Sequence, residues 1–538
     1  MLAPKADITP ADRARGLRNL LIDAAAATAI GALNSGVVLL ALALHIGASN
    51  IEIGIIAAIP LLTQMLQAPT VTLVERLRTR KRIAVIAVFT ARLALPVYAM
   101  VPFIPNPRIA ALVLIAAALL HYGLNAVTAC SWNSWIRDLV PAEQLGKFFG
   151  RRLVYGTGVS TLATIAAAIA LDYAQGAEAI RDRIFAGLYL FGFVCGLIST
   201  AALARVPEPE MRGAPGSMPL ARLLWEPLRQ TNFRNMLRYV ASWQFAVNLA
   251  MPFFTVYFVR ALGYSMSFVL VLTVVSQLAN VAVVRTWGEL SDRFTNKTVL
   301  SLASPLFIAC IAGMALTSSF DPGVTRSTWL IVLHIVMGAA GAGVGLASSN
   351  IVMKLSPAGA ATSFMAASAL VSAIAAGTAP MVGGLAADFF ARRQLSLRLE
   401  WSSPSGVDEL FGLALTHWEF FFVLSAAMGL YSLHRLSVIQ EPGAVDRREV
   451  VHHIWESARR TLRNASSVAG LRLAVSFPGG ELIKLRERER FLLEDLYDQS
   501  RVAPAPQGAM GELLNAAFGK PGTDGTLDEL IARLDRAA

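Results

Sequence analysis

Apolar runs of about 20 residues recur along the first 436 positions, each closed by a short stretch of charges, prolines or glycines. As a helix rising roughly 1.5 Å per residue, such a run crosses a hydrocarbon core of about 30 Å. In lipid only a helix satisfies its backbone groups within one segment, so each run is predicted helical. The breakers place spans near 20–46, 51–74, 83–104, 109–135, 153–174 and 184–205, then near 236–259, 266–287, 298–318, 328–350, 362–390 and 417–436. The expected fold is therefore an all-α membrane protein of twelve transmembrane helices. A segment 1–19 precedes a six-helix bundle, 20–205. A central loop, 206–235, leads to a second six-helix bundle, 236–436, and a helical tail, 437–538, follows.

Direction comes from the basic residues. The loops on one side (1–19, 75–82, 136–152, 204–238, 285–297 and 351–361) hold 23 Lys and Arg, and those on the other hold 8. The positive-inside rule makes the first set cytoplasmic, with both termini inside and the protein in the inner membrane. Composition agrees, with 55% hydrophobic and 15% charged residues, which excludes a soluble enzyme for this region. The net charge of +11 sits in inter-span loops, so it is no nucleic-acid signal. Cys130, Cys195 and Cys310 all fall inside apolar runs, which leaves neither a disulfide framework nor a metal site to expect. The run after Arg18 is too long for a signal peptide and stays as span one.

The chain repeats itself at an offset of 216–217 residues. Gly47 and Ser49 match Gly263 and Ser265, and Leu73-x-Glu75-Arg76 matches Leu290-x-Asp292-Arg293. Pro141 and Phe148 match Pro357 and Phe364, and Asp172 matches Asp388. Matches at one offset and at equivalent places indicate a six-helix unit used twice in parallel.

Gly288-Glu-Leu290-Ser-Asp292-Arg293-Phe-Thr-Asn-Lys297 is close to a G-x-L-x-D-R-x-G-x-K/R loop. With its degenerate first-half copy, Val71-Thr-Leu73-Val-Glu75-Arg76-Leu-Arg-Thr-Arg80-Lys81, it makes the chain resemble the bacterial major facilitator superfamily over about residues 18–436. Arg137-Asp138 through Pro141 to Phe148-Phe-Gly-Arg151-Arg152 is similar to the loop after span four in many members. The resemblance implies a twelve-helix secondary transporter, or permease, whose cavity is lined by spans 1, 4, 7 and 10 with 2, 5, 8 and 11. A carboxylate beside arginines at a helix end can bind neighbouring helix ends by charge-assisted hydrogen bonds. Glu75, Arg76, Asp138, Gly288, Asp292, Arg293 and Lys297 are thus the expected cytoplasmic gate, a latch formed when that side is closed. Ala379-Pro380-Met-Val-Gly383-Gly384 resembles an antiporter element that belongs to span five, but here it lies in span eleven.

Polar side chains deep in a span are costly, so those near the midplane are the candidate solute ligands. They are Asn34, Gln64 with Gln67, Arg92, His121 with Asn125, Gln244 with Asn248, and Gln277 with Asn280. Within each pair the spacing of three or four residues puts both on one helix face. The alternative role is interhelical hydrogen bonding, and for Arg92 a bond to carbonyls and to Gln64 or Gln67. No Asp or Glu falls at a midplane: Asp23 is near the inner end of span one, and Glu52, Asp172, Asp388 and Glu419 are near outer ends. A coupling proton, where one is used, falls to His121 or to these acids. Gly338, Gly341, Gly343 and Gly345 lie inside span ten and read as a helix-packing stripe.

At the ends, Thr9-Pro10-Ala-Asp12 is a helix start, expected to open a short cytoplasmic helix carrying Arg13, Arg15 and Arg18. Residues 440–538 carry 14 basic and 15 acidic side chains and lie beyond the resemblance. They read as amphipathic helices over the cytoplasmic face. The functional expectation is transport of a small organic solute by alternating access, as a monomer among membrane lipids and without a cofactor. A transport-inactive sensor signalling through the tail is the alternative.

Overall fold

In the computed structural model of the chain the first span is not one rod. Helix α1 (Pro10–Asn34) and helix α2 (Gly36–His45) adjoin at Gly36, whose φ of 56° is left-handed and suits a residue without a Cβ. The structure describes residues 4, 5, 8–34, 36–140, 142–173, 177–211, 227–356, 361–393, 395–403, 406–415 and 417–441. The tail expected over 440–538 therefore lies outside the described residues, apart from its first two. The predicted start of α1 is present, with the Asp12 N–H donating to Thr9 Oγ at 3.1 Å. A separate cytoplasmic helix does not form. With no breaker after Arg18, α1 runs on into the apolar stretch.

Span two consists of α3 (Asn50–Leu62), a 3-10 turn (Thr63–Leu66) and α4 (Gln67–Leu77), with Pro60 just before the turn. Span three consists of α5 (Arg80–Arg92) and α6 (Ala94–Met100); α7 (Pro107–Leu139), α8 (Ala142–Tyr173) and α9 (Glu178–Ala204) complete the first half. The second half contains α10 (Thr231–Val256), α11 (Met266–Arg293), α12 (Asn296–Ala315), α13 (Val324–Lys354), α14 (Ala361–Phe390) and α15 (His417–Ser437). Among the described residues, nine helical segments are long and apolar enough to cross a membrane. Helices α8, α10 and α15, of 32, 26 and 21 residues, pack in the same bundle.

The repeat is visible in the local geometry. Gly47 and Gly263 have φ of 79° and 70°, and Ser49 and Ser265 each cap the next helix through a side-chain oxygen. In the first half, Leu20, Ala84, Val88, Trp135, Ile136, Leu139 and Leu203 form a buried core shared by α1, α5, α7 and α9. The Gly338 stripe is a packing surface, with Gly338 backed onto the Ser276 carbonyl of α11.

One expectation is corrected. Residues 391–416, read as a plain loop, contain an antiparallel hairpin of β1 (Leu395–Ser403) and β2 (Gly406–Leu415), bulged between Leu399 and Glu400. Leu395, Leu397, Leu399 and Trp401 alternate with a period of two, the mark of a strand, and the short segment is easily lost between two long apolar runs. The all-helical description therefore holds for the spans and not for this excursion.

Candidate functional site

The two halves meet most closely at one end of the bundle. Helix α3 packs along α14, and α2 packs against α10. A Cβ built at Gly54 would lie 2.3 Å from the Pro380 carbonyl oxygen, and one at Gly384 would lie 2.5 Å from the Asn50 oxygen. Only glycine permits this backbone contact. Its rim is hydrogen-bonded, with Asn50 Nδ2 donating to Asp388 Oδ1 at 2.8 Å. Arg260 donates to Ala48 O at 2.8 Å and to Asn50 Oδ1 at 3.3 Å. The other half of span two, α4, packs mainly on α7 of its own half. The halves are sealed together at the end bearing residues 48–50, 260 and 388.

Past this seal are two adjoining cavities that share Gln244, Ala369 and Ser372. One, of about 470 Å³, brings Gln64 and Gln67 of span two and Cys130 of α7 to Gln244 of α10. The other, of about 460 Å³, has an aromatic wall of Tyr239, Trp243 and Phe307 facing the hydroxyls of Ser349 and Ser368. Among the described residues that line them, only Cys130 and Tyr239 are ionisable, so their polarity is that of amides and hydroxyls. Gln64 and Gln67 bond to each other at 2.5 Å. Gln277 lines a third cavity, between α1, α8 and α11. Asn248 donates to the Gln244 carbonyl at 2.8 Å, Asn280 lies beside Gly341 of α13, and Asn125 is half-buried on α7.

Asn34, His121 and Arg92 are placed elsewhere. His121 is buried, with Nε2 2.8 Å from Asn34 Nδ2 and Nδ1 3.0 Å from the Ala91 carbonyl. A neutral imidazole donating through Nδ1 and accepting at Nε2 is thereby fully satisfied. These contacts stitch the breaks in spans one and three, and Tyr122 OH donates to the Asn34 carbonyl at 2.9 Å. Arg92 is buried within the first half, its stem pressed on Gly196 of α9, and it does not reach Gln64 or Gln67. Asp23, expected near an inner helix end, is also buried, and the Ser199 hydroxyl donates to it at 2.7 Å.

Around the expected gate positions, hydrogen-bonded hubs form within each half. Arg80 is fully buried and donates through its backbone N–H to Glu208 at 2.7 Å, and through its guanidinium to Asp138, Ser134 O and Pro209 O. In the second half Glu441 is the hub: it accepts from Lys297 N at 2.6 Å and Asn296 N at 3.3 Å, and pairs with Lys354 at 2.9 Å. Lys297 Nζ also donates to Ser437 O at 3.1 Å. Each carboxylate sits on a helix N-terminus, where the helix dipole favours it. Glu75 is half-exposed and Arg76 exposed, Gly288 faces Leu346 of α13, and Arg293 lies over the Phe294 ring at 5.5 Å. The side chain of Asp292 lies outside the described residues. Glu208 and Glu441 were missed by sequence reading, although each opens a Glu-Pro pair just after the sixth helix of its half.

Burial raises the Glu441 carboxyl, but the hydrogen bonds from Lys297, Lys354 and Asn296 outweigh it and hold the group below the usual carboxylate range. With the folded pKa below the unfolded one, ionised Glu441 adds stability above the unfolded pKa, and loses it as pH falls through the folded one. Glu441→Gln is expected to cost about 2 kcal/mol at pH 7 and to flatten the acid limb of the stability curve. Melting temperatures from pH 4 to 8 test this, and an acid limb identical to that of the parent refutes it.

Solved structures of similar fold cover most of this chain. A mutant of the nucleoside transporter NupG aligns with a TM-score of 0.59 at 13% identity, covering 79% of this chain and 100% of its own. A bacterial homologue of the human lysosomal transporter Spinster, inward-facing and unoccupied, gives 0.54 at 16% identity, over 81% and 100%. An inward-facing bacterial homologue of the iron transporter ferroportin gives 0.57 at 13%, over 80% and 99%. Among curated proteins none matches in sequence. Residues 21–380 match the Major Facilitator Superfamily profile, well over half of the sequence. With that match and the shared fold, the chain belongs to the Major Facilitator Superfamily.

Proposed function

We propose that the protein is a twelve-span secondary transporter that moves a small organic solute by alternating access, and that this conformation is open to the cytoplasm. The observation that carries the reading is the one-ended seal: Gly54 on Pro380 and Asn50 on Asp388. These residues flank loops of the less basic set, so the sealed end is the outer one and both termini are cytoplasmic, in the inner membrane. The Spinster and ferroportin homologues of similar fold, both inward-facing, support it. Gln64, Gln67 and Gln244 are the proposed solute ligands, because they converge from both halves on one cavity. Asn34, Arg92 and His121 hold the first half in shape. The sensor alternative gains no support from the similar structures, all three of which are transporters.

Cys130 provides the test, because it lines this cavity while Cys195 and Cys310 are buried. A membrane-impermeant maleimide is expected to label Cys130 in inside-out vesicles at least tenfold faster than in right-side-out ones. Labelling should vanish in Cys130→Ser. Equal labelling from both sides, or none from the cytoplasmic side, overturns the reading.

A further inference from the structure

Helices α1 and α8 of the first half and α11 of the second enclose a cavity of about 470 Å³ with Arg152 on its wall. Thr28, Thr157, Ser160 and Gln277 line it too, the last from the opposite half. The Arg152 guanidinium lies over the Trp132 ring, 4.5 Å from its centroid. Its nearest carboxylate oxygen, on Asp23, is 4.0 Å away, too far for a hydrogen bond, and its Nε is buried with no partner among the described residues. Asp23 is already engaged by Ser199 and is also the one acid, among the described residues, that acts on buried Arg92. Two guanidiniums thus share one carboxylate in the first half, that of Arg92 buried and that of Arg152 part-buried on the cavity wall. Uncompensated charge in such a place is costly, and an anion would relieve it.

We infer that this cavity binds an anionic group of the transported solute, a phosphate or carboxylate. Arg152 is its charge partner, and the hydroxyls of Thr157 and Ser160 and the amide of Gln277 are its donors. Guanidinium is suited to this because its planar fork matches the oxygens of either group. Since Arg152 and Gln277 belong to different halves, a group held between them ties the halves together, as a solute-driven switch requires. The inference rests on the transporter reading and adds the charge of the solute. Directly along the same pair of helices runs a second cavity, of about 530 Å³, lined by Ile165, Ile169, Leu270, Val271 and Val274. An apolar tail can lie there, so the anionic group can arrive on a water-soluble solute or on a single-chain amphiphile.

The test uses the full chain in a neutral maltoside detergent, titrated with inorganic phosphate, dodecyl phosphate and the uncharged dodecyl glucoside. Thermal stability and tryptophan fluorescence give apparent Kd values. The expected result is binding of a phosphate probe that weakens at least tenfold in Arg152→Gln and severalfold in Gln277→Ala, with dodecyl glucoside unaffected by either substitution. Binding of inorganic phosphate assigns the group to a soluble solute; binding of dodecyl phosphate alone assigns it to an amphiphile. If Arg152→Gln folds poorly because Asp23 loses its partner, Arg152→Lys and Ser160→Ala, which keep the charge, are expected to weaken binding severalfold. No binding of either phosphate probe, or unchanged binding in these variants, overturns the inference. Cys130 labelling is run in parallel on inside-out and right-side-out vesicles holding the same protein. Sided labelling without phosphate binding defeats only this inference, whereas loss of sidedness defeats the transporter reading itself.

Discussion

Arg80→Ala is expected to destabilise the protein by about 3–5 kcal/mol, because the fully buried carboxylate of Glu208 loses the guanidinium 3.4 Å away while keeping the backbone N–H of residue 80. The same change removes the donors to Asp138, Ser134 O and Pro209 O, through which Arg80 joins α5, α7 and the chain leaving α9. Arg80→Lys keeps the charge but loses the planar fork, and is expected to cost less. Arg80→Ala combined with Glu208→Gln is expected to cost less than the sum of the two, since the stranded charge is then gone. The measurement is thermal or denaturant unfolding of the detergent-solubilised protein. A loss below about 1 kcal/mol, typical of an exposed pair, would refute the buried-hub description.

The second large effect is functional. Gly54→Val is expected to prevent closure of the sealed end, because its Cβ would meet the Pro380 carbonyl oxygen at 2.3 Å and the attached carbon at 3.1 Å. Backbone faces backbone here, so no side chain can swing aside. Overpacking of this kind costs about 1–3 kcal/mol, which shifts the balance between the two conformations by roughly 5- to 150-fold. Cytoplasmic labelling of Cys130 should fall by up to that factor and transport with it, while the protein still folds, because parting of the two helices in the opposite conformation would relieve residue 54. Gly384→Val on the facing helix should behave alike, and the double variant little worse, because the two act on one contact. Wild-type labelling in Gly54→Val would sink the proposal that this seal opens and closes.

The hairpin and the breaks in spans one and three show where sequence reading stops. Hydropathy reports the length of an apolar run, and a run of 20–46 looks the same whether it is one helix or two meeting at Gly36. His121 and Asn34 were legible as costly polar residues, but not as the pair that satisfies the groups freed by those breaks. Gln64, Gln67 and Gln244 look no different along the chain, yet they converge on one cavity from three segments. Arg152 lies in a recognisable loop pattern along the chain, but its 4.0 Å distance from Asp23 depends on where α1 and α8 cross.

By itself the sequence determined that the chain is helical in its spans, that turn and cap residues recur at one offset, and that one set of loops is the basic one. Those properties follow from local chemistry: the cost of exposed backbone in lipid, the period of the apolar runs and the distribution of Lys and Arg. Glycine and serine positions at one offset then produced matching turns and caps in both halves. Only the tertiary structure decided which end is sealed, which polar residues face a cavity, and which charges are shared within a half. Each depends on contacts between residues hundreds of positions apart, such as Asn50 with Asp388 or Asn296 with Glu441. Local preference is silent there, because a buried amide or charge is equally costly wherever its partner lies in the chain, and only the packing of helices selects the partner.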